Sequence, residues 1–183
     1  MLLLKKIYFL LAEGFELIET TTPIDILKRA GIKVVTLSLG KTLEVNSAQD
    51  IKIIADDFLG DYKDASGIFL AGGYSHYENL PKSDEALKFI KYYLKNQKLV
   101  IAISGAPYAL AKKNLITGKT VSVHQSFLEE TKKFCNISNL PITIDDNLIT
   151  CRGTGYSQDL SFEILKILAP DKLEKVKKGL GLL

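Results

Sequence analysis

The sequence predicts a doubly wound α/β fold, in which a mostly parallel sheet carries helices on both of its faces. Short β-rich segments alternate with helical segments along nearly all of the 183 residues, and this order is typical of parallel strands joined by crossover helices. No long linker, repeat or low-complexity tract interrupts the chain, and its length suits one domain with a substantial core. We therefore expect a single domain over residues 1–183.

The predicted strands are short runs that are rich in apolar and β-branched residues. In chain order they cover residues 6–11, 33–39, 51–54, 67–70, 99–103 and 121–123, and a hairpin covers residues 142–151. The run at residues 51–54 is expected to lie off the main sheet. Asp146 and Asn147 are expected at the tip of the hairpin.

Helices are predicted between these strands from their start and stop residues. In chain order they cover residues 18–30, 84–96, 107–113, 127–134, 157–168 and 171–178. Gly31 is expected to end the first helix, and Ser83 is expected to cap the second. Pro107 suits the first turn of the third helix, where no intrahelical hydrogen bond is lost.

Composition and charge exclude several classes of protein. A formal net charge of +3, with lysines scattered among acidic residues, leaves no basic stripe for a nucleic-acid backbone. No apolar run approaches the roughly 20 residues of a membrane span. The N-terminal run contains Lys5 and Lys6 and no cleavage site, so we interpret it as a strand rather than a signal peptide.

The two cysteines form no CxxC pair and have no metal-ligand spacing to the two histidines. No glycine-rich phosphate fingerprint opens the first helix. We therefore expect a cytoplasmic protein with no cofactor, whether metal, nucleotide or flavin, and with no nucleic-acid or membrane partner. Cys135 and Cys151 are interpreted as small buried hydrophobic residues. His76 is expected in an exposed loop, with a place in a pocket wall as the alternative.

Residues that can carry chemistry follow four of the predicted strands. In open parallel sheets, ligands bind outside the carboxyl ends of the strands. The residues expected there are the segment at residues 13–19, the pair Gly72 and Gly73, the pair Ser104 and Gly105, and His124. This convergence of carboxylates, glycines, a hydroxyl and an imidazole predicts the functional site.

Ser104 lies in the string AISGA, which has the steric pattern of a nucleophile elbow. A sharp strand-to-helix turn needs small residues two positions on either side of the nucleophile, and Ala102 and Ala106 occupy those positions. Amide groups at the start of the following helix favour a developing negative charge. The alternative is that Ser104 only caps this helix, since serine is a leading N-cap residue. Spacing alone does not distinguish the two.

The other candidate residues each have a structural alternative. Gly72 and Gly73 can present a backbone amide to an oxyanion, or they can form an ordinary turn. His124 can act as an acid or base near neutral pH, or it can be a hydrogen-bonded core residue. Glu19 lies in the first turn of a helix, where a carboxylate is favourable in any case.

Six strings taken together and in order resemble the ThiJ/PfpI superfamily: AEGFELIET, PIDILKRAGIKV, LAGG, IAISGAPYAL, GKTVSVH and ITCRGTGYS. They are most similar to its DJ-one branch, the group of the Parkinson's disease protein and its bacterial homologues. The resemblance implies a flavodoxin-like α/β sandwich (class I glutamine amidotransferase-like) that forms homodimers. It also implies glyoxalase-type or deglycase-type chemistry on a small aldehyde or its protein adduct, or a role in oxidative stress.

The resemblance also implies roles for individual residues. In that family a glutamate of the first helix contacts a cysteine at the elbow, and a histidine lies nearby. The matching catalytic positions here are Glu19, Ser104 and His124. The matching oxyanion amides are those of Gly72, Gly73 and Gly105.

Two positions depart from the family pattern. Ser104 stands where cysteine is expected, and a hydroxyl can neither be a thiolate at neutral pH nor oxidise stepwise. Gln49 stands where the branch often has an arginine that reaches the site across the dimer. Three interpretations of Ser104 stay open: an engineered cysteine-to-serine variant, a natural relative that has lost thiol chemistry and binds rather than reacts, and a serine hydrolase of unusual triad order. The alternative functions are a non-catalytic stress-response or chaperone-like dimer, and esterase-like hydrolysis by Ser104 with His124.

Overall fold

The computed structural model describes residues 5–183 and contains one large sheet and two small ones. In chain order the strands are β1 (Lys6–Leu11), β2 (Lys33–Ser38), β3 (Glu44–Asn46), β4 (Lys52–Ile54), β5 (Asp57–Phe58), β6 (Gly67–Leu70), β7 (Leu99–Ile103), β8 (Thr120–Val121), β9 (Asn136–Ile137), β10 (Ile142–Asp145) and β11 (Leu148–Cys151). The large sheet has the order β10-β11-β7-β6-β1-β2-β5. Its strands pair in parallel except for β10, which runs antiparallel to β11. The predicted α/β class with a mostly parallel sheet is confirmed.

The helices begin and end close to the residues expected from the sequence. They are α1 (Leu17–Arg29), α2 (His76–Asn79), α3 (Asp84–Lys95), α4 (Ala106–Lys112), α5 (Leu128–Thr131), α6 (Ser157–Leu168) and α7 (Leu173–Gly179). Beyond the end of α1, Gly31 has a φ of +79° and donates its N–H to the carbonyl of Lys28 at 2.9 Å. This is the glycine stop that the sequence predicts. At the start of α3, the Ser83 hydroxyl accepts the N–H of Ala86 at 3.1 Å, which confirms the predicted cap.

The sheet separates two apolar cores, because successive side chains of a strand point to opposite faces. In β1, Ile7 and Phe9 pack in the core that contains α1 and α6. Tyr8 and Leu10 pack in the opposite core, with α3 and α4. Helices therefore cover both faces, as predicted. Burying one such apolar side chain contributes about 1.5–3 kcal/mol, so these cores fix the positions of the strand ends.

The short elements depart most from the prediction. Residues 51–54 do lie off the main sheet, since β4 pairs with β3 in a separate antiparallel ribbon. The strand predicted at residues 121–123 is shorter and forms β8, which pairs with β9. It stops because Ser122 donates its N–H to the Thr150 hydroxyl at 2.9 Å instead of to a strand. The helix predicted at residues 127–134 is also shorter, because a 3-10 turn precedes α5 and the N–H of Cys135 turns back to the carbonyl of Thr131.

The predicted C-terminal hairpin is confirmed, and it brings a fourth strand end to the candidate site. β10 and β11 pair across a turn in which Asp146 has a φ of +55°. β11 lies beside β7 in parallel register, with Cys151 opposite Ile103. The carboxyl ends of β1, β6, β7 and β11 therefore open at the same edge of the sheet.

Candidate functional site

Ser104 lies directly after β7 in a strained backbone conformation. Its φ is +63°, in the left-handed region that costs a residue with a side chain on the order of 1 kcal/mol. Its N–H donates to the carbonyl of Cys151 at 2.9 Å, and its carbonyl accepts the N–H of His124 at 3.1 Å. Two separate segments thus hold the turn in the conformation that a nucleophile elbow requires.

The alternative of Ser104 as a helix cap is wrong. Gly105 is the N-cap of α4, and no side chain donates or accepts a capping hydrogen bond there. Ala102 and Ala106, the two small residues of the elbow pattern, are both buried against their neighbours. The half-buried hydroxyl of Ser104 is therefore left to face the cavity beside it.

Glu19 lies in the first turn of α1 and is fully buried. Its Oε2 accepts the N–H of Gly72 at 2.7 Å, and its Oε1 accepts the Thr154 hydroxyl at 2.8 Å. Each carboxyl oxygen thus has a donor, one following β6 and one following β11. Thr154 was not predicted as a site residue, although its place just beyond the end of β11 was the signal that could have found it.

Burial raises the pKa of Glu19 to about 7, because the charged carboxylate loses its hydration. The hydrogen bonds from Thr154, Gly72 and Ser104 oppose this shift by favouring the charged form, and the nearby charge of Glu16 adds to it. A carboxyl group with a pKa near neutrality is present in both protonation states in a neutral solution. It can therefore give or take a proton without a large energetic cost.

Gly72 packs against both Glu19 and Ser104 and leaves the space in which these two side chains meet. A Cβ atom added at Gly72 would lie 2.5 Å from Glu19 Oε2 and 2.6 Å from Ser104 Cβ. Only glycine fits between them. Because the Gly72 amide is already bonded to Glu19, it positions the carboxyl group and is not free for an oxyanion.

The amides of Gly73 and Gly105 complete the predicted oxyanion set. Neither donates a hydrogen bond to another group within residues 5–183. Gly73 has a φ of +105°, and a Cβ there would lie 2.0 Å from the carbonyl oxygen of Gly14. A Cβ at Gly105 would lie 2.8 Å from the ring of Tyr77. Both glycines are thus required by close packing at the mouth of the elbow.

His124 is joined to Ser104 through the backbone rather than through its ring. Its Nδ1 accepts the N–H of Ser126 at 3.3 Å, which places the proton of a neutral ring on Nε2. Within the described residues, the ring makes no hydrogen bond to the hydroxyl of Ser104. His124 therefore lines the cavity, but it is not in position to deprotonate Ser104.

These residues line a cavity of about 370 Å³. Glu16, Glu19, Gly73, Ser104, His124 and Thr154 form one part of its wall. Tyr74, Tyr77 and Phe127 form an aromatic part that was not predicted from the sequence. The volume is that of a site for a small molecule.

Gln49 lies at the N-terminus of α1 and bonds Glu16, which lines this cavity. Its Nε2 donates to a carboxylate oxygen of Glu16 at 2.7 Å, and its Oε1 accepts the N–H of Leu17 at 3.1 Å. An amide bonds Glu16 without neutralising its charge. The two carboxyl groups of Glu16 and Glu19 consequently leave this end of the cavity electronegative.

The prediction for His76 is wrong, whereas those for the cysteines are confirmed. His76 is fully buried in α2, and its Nε2 lies 3.0 Å from the carbonyl oxygen of Leu10. Burial lowers its pKa to about 4. Cys135 and Cys151 are both buried, and burial raises their pKa values to about 11 and about 12. Neither thiol is prone to form a thiolate at neutral pH.

In residues 5–183, no group of three His, Cys, Asp or Glu side chains is arranged to hold a metal ion. Over the same residues, the structure has no helix with the length and apolar character needed to cross a membrane.

Comparison with known proteins identifies the family. The sequence model of the DJ-1/PfpI family matches residues 5–167. The chain is 30% identical over 182 residues to protein dj-1beta of Drosophila melanogaster, covering 96% of each chain. It is 28% identical over 169 residues to the Parkinson disease protein 7 homolog of Danio rerio, covering 90% of this chain and 89% of that protein.

Solved structures agree with the sequence match. The crystal structure of Drosophila DJ-1beta superposes with a TM-score of 0.92 at 28% identity and covers 98% of both chains. A cysteine-to-alanine variant of a DJ-1 superfamily protein from Salmonella typhimurium gives a TM-score of 0.91 at 26% identity, over 98% of this chain and 99% of that one. The fold is therefore the flavodoxin-like α/β fold of these proteins. On these matches over nearly its whole length, the chain belongs to the DJ-1/PfpI family.

Proposed function

We propose that the Ser104 cavity binds a small α-oxoaldehyde, or its adduct on a protein side chain, for glyoxalase-type or deglycase-type chemistry. The observation that carries the proposal is the buried carboxyl group of Glu19. Its pKa is raised to about 7, and it is in hydrogen-bond contact with Ser104. Converting an oxoaldehyde to a hydroxy acid adds water and moves protons between two adjacent carbons. A carboxyl group that is half protonated at neutral pH suits this task.

The neighbouring backbone supports the same chemistry. When a nucleophile adds to a carbonyl carbon, negative charge develops on the carbonyl oxygen. Gly73 lines the cavity with Ser104, Gly105 follows Ser104 in the chain, and neither amide has a partner within residues 5–183. We assign them to this oxygen, while the Gly72 amide holds Glu19 in place.

The serine limits what the chain does as it stands. A thiolate adds readily to an aldehyde, whereas a serine hydroxyl needs a base in contact with it. Glu19 is in hydrogen-bond contact with Ser104, but its carboxyl group is half protonated near pH 7 and both of its oxygens already accept other hydrogen bonds. The ring of His124 is bonded to Ser126 instead. We therefore expect binding without thiol chemistry, whether Ser104 is a natural residue or an engineered replacement for cysteine. The genomic codon for residue 104 decides between these two.

A variant with the thiol of the family pattern at residue 104 tests the proposal. Ser104→Cys is expected to form lactate from methylglyoxal in the absence of glutathione, and Ser104→Ala is the matched control without a nucleophile. Adding Glu19→Gln to the cysteine variant should abolish turnover, because glutamine cannot transfer the proton. If the cysteine variant is inert while its fold and thiol are intact, the proposal fails.

A non-catalytic, chaperone-like homodimer is the second candidate, and an exposed apolar surface favours the dimer. Ile18 on α1, Ile51, and Ile54 on β4 are 51%, 50% and 71% exposed. The hydrogen bond from Leu17 N–H to Gln49 joins α1 to the segment that carries Ile51 and Ile54. Exposed apolar side chains grouped in this way are typical of subunit interfaces.

The dimer and the chaperone role are tested separately. Ile54→Glu should convert a dimer to a monomer in sedimentation velocity, with Ile144→Glu, at another exposed isoleucine, as the control. A chaperone would suppress the aggregation of a client protein equally well with serine, cysteine or alanine at residue 104. The same aggregation curve with and without the protein would remove this candidate.

The geometry of His124 does not favour the third candidate, a serine hydrolase. Its ring is bonded to the backbone of Ser126 and not to Ser104. Labelling of Ser104 by a fluorophosphonate probe would nevertheless establish such an enzyme. We expect no adduct. The two buried cysteines, which form no disulfide, favour a reducing cytoplasmic location.

A further inference from the structure

A second cavity of about 540 Å³ lies beside the Ser104 cavity and shares part of its wall. The shared residues are Tyr77, Ser126 and Phe127. Tyr108 lines the second cavity only, so we name this cavity the Tyr108 groove. Its volume falls within the roughly 300–1,000 Å³ typical of ligand sites. Together, the two cavities are far larger than an α-oxoaldehyde needs.

Three aromatic rings line the Tyr108 groove, and those of Tyr77 and Phe127 also line the Ser104 cavity. The rings of Tyr108 and Phe127 stack with centroids 5.0 Å apart and planes 12° apart. Tyr77 meets Phe127 edge on, with centroids 4.9 Å apart. All three residues are only half-buried, so part of their ring surface is open to the groove. Such surfaces favour planar aromatic ligands over aliphatic ones of equal size.

Lysines supply the charge of the groove. Lys82, Lys112 and Lys113 line it, and none of the three forms an ion pair with another residue in the described part of the chain. The Nζ atom of Lys112 lies 5.7 Å from the centroid of the Tyr108 ring. A positive charge is thus placed directly over an aromatic surface.

The acidic residues of the groove do not cancel this charge. Two glutamates, Glu78 and Glu130, also line it. Glu130 is already paired with Lys133 at 2.7 Å. The groove is therefore electropositive, in contrast to the end of the Ser104 cavity that holds Glu16 and Glu19.

We propose that the Tyr108 groove binds a planar aromatic or heteroaromatic ring that carries a carboxylate or phosphate group. The ring contacts the aromatic wall, and the anionic group contacts Lys112 and Lys113. This assignment goes beyond the proposed function, because binding in the groove requires neither Glu19 nor Ser104. If the proposed reaction also holds, the ring and the anionic group of the substrate bind in the groove, while its aldehyde group enters the Ser104 cavity.

Isothermal titration calorimetry with phenyl phosphate tests the groove without any reaction. Phenyl phosphate is expected to bind at least about fivefold more tightly than inorganic phosphate, which has no ring, or benzyl alcohol, which has no charge. Benzoate, compared with phenyl phosphate, shows which anionic group the groove prefers. Raising the salt concentration should weaken phenyl phosphate binding, because the lysines are exposed.

Variants then locate the site. Tyr108→Leu, and separately the pair Lys112→Gln and Lys113→Gln, should each weaken phenyl phosphate binding about fivefold. Lys91→Gln, at an exposed lysine of α3, is the matched control and should leave the affinity unchanged, as should Ser104→Ala. Circular dichroism checks that each variant is folded.

Unchanged affinity in both the Tyr108 and the lysine variants would overturn the assignment, and so would the absence of saturable phenyl phosphate binding. The outcome is independent of the proposed reaction. If Ser104→Cys is inert with methylglyoxal while phenyl phosphate binding still depends on Tyr108, the groove stands and the reaction fails. If the cysteine variant turns over and phenyl phosphate does not bind, the reaction stands and the groove fails.

Discussion

Replacing Glu19 by glutamine should change how the stability of the protein depends on pH. Burial raises the pKa of this carboxyl group from 4.5 to about 7. The folded protein therefore holds the Glu19 proton more tightly than the unfolded chain does. As pH rises from about 4.5 to about 7, the unfolded chain releases the proton first, and the contribution of Glu19 to the free energy of unfolding falls.

The magnitude follows from the size of the shift. A change from 4.5 to about 7, at ~1.4 kcal/mol per pKa unit, corresponds to a loss of about 3 kcal/mol of stability above pH 7. Glutamine has a similar shape and does not titrate. It can accept only one of the two hydrogen bonds from Gly72 and Thr154, which costs about 1 kcal/mol at every pH.

Urea unfolding of the wild type and Glu19→Gln between pH 4.5 and pH 8 measures the effect. The variant should be less stable than the wild type at the acidic end, and its relative stability should rise by about 3 kcal/mol toward the alkaline end. Glu44→Gln, at an exposed glutamate of β3, is the control and should give a curve parallel to the wild type. If the Glu19→Gln curve is also parallel to the wild type, the raised pKa of Glu19 is refuted.

Three further predictions concern neighbouring residues. His76 has a lowered pKa of about 4, so its own contribution to stability should fall by about 3 kcal/mol as pH falls from 6.5 to 4, opposite in sign to the contribution of Glu19. In the same urea titration, the stability of His76→Asn relative to the wild type should therefore rise by this amount toward acidic pH. Gly72→Ala should lower the free energy of unfolding by about 1–3 kcal/mol, because the added Cβ would clash with Glu19 and Ser104. A thermal melt at fixed pH measures this loss, and an unchanged melting temperature would contradict the close packing around Gly72. Ser104→Gly should stabilise the protein by about 0.5–1 kcal/mol by relieving the positive φ; equal stability of the glycine and alanine variants would argue against strain.

The sequence predicts β1, β2, β6, β7 and β11 of the main sheet well, because each is a compact and largely buried apolar run. It also predicts Ser104 at the elbow, since the small residues at 102 and 106 are a local steric requirement. The shortest strands were missed. β5 and β9 are two residues long. They form only because β2 and β8 lie beside them, and a local sequence pattern carries no information about such neighbours.

Local sequence patterns also do not predict which site residues are buried or which groups they bond. Nothing near His76 indicates that the loop folds inward to place its ring against the carbonyl of Leu10. Thr154 donates to a carboxyl group 135 positions earlier in the chain. The raised pKa of Glu19 follows from these distant contacts and from desolvation, so it becomes visible only in three dimensions.

The position of β11 between β7 and β10 has a consequence for the order in which the protein forms. Until residues 142–151 leave the ribosome, the LVIAI strand is an unprotected sheet edge with free backbone N–H and carbonyl groups. During that interval a nascent chain can pair with another copy of itself, a known route to aggregation. The same late segment supplies the carbonyl that holds the Ser104 N–H. When β11 pairs with β7, it therefore covers the exposed edge of β7 and completes the elbow in a single step.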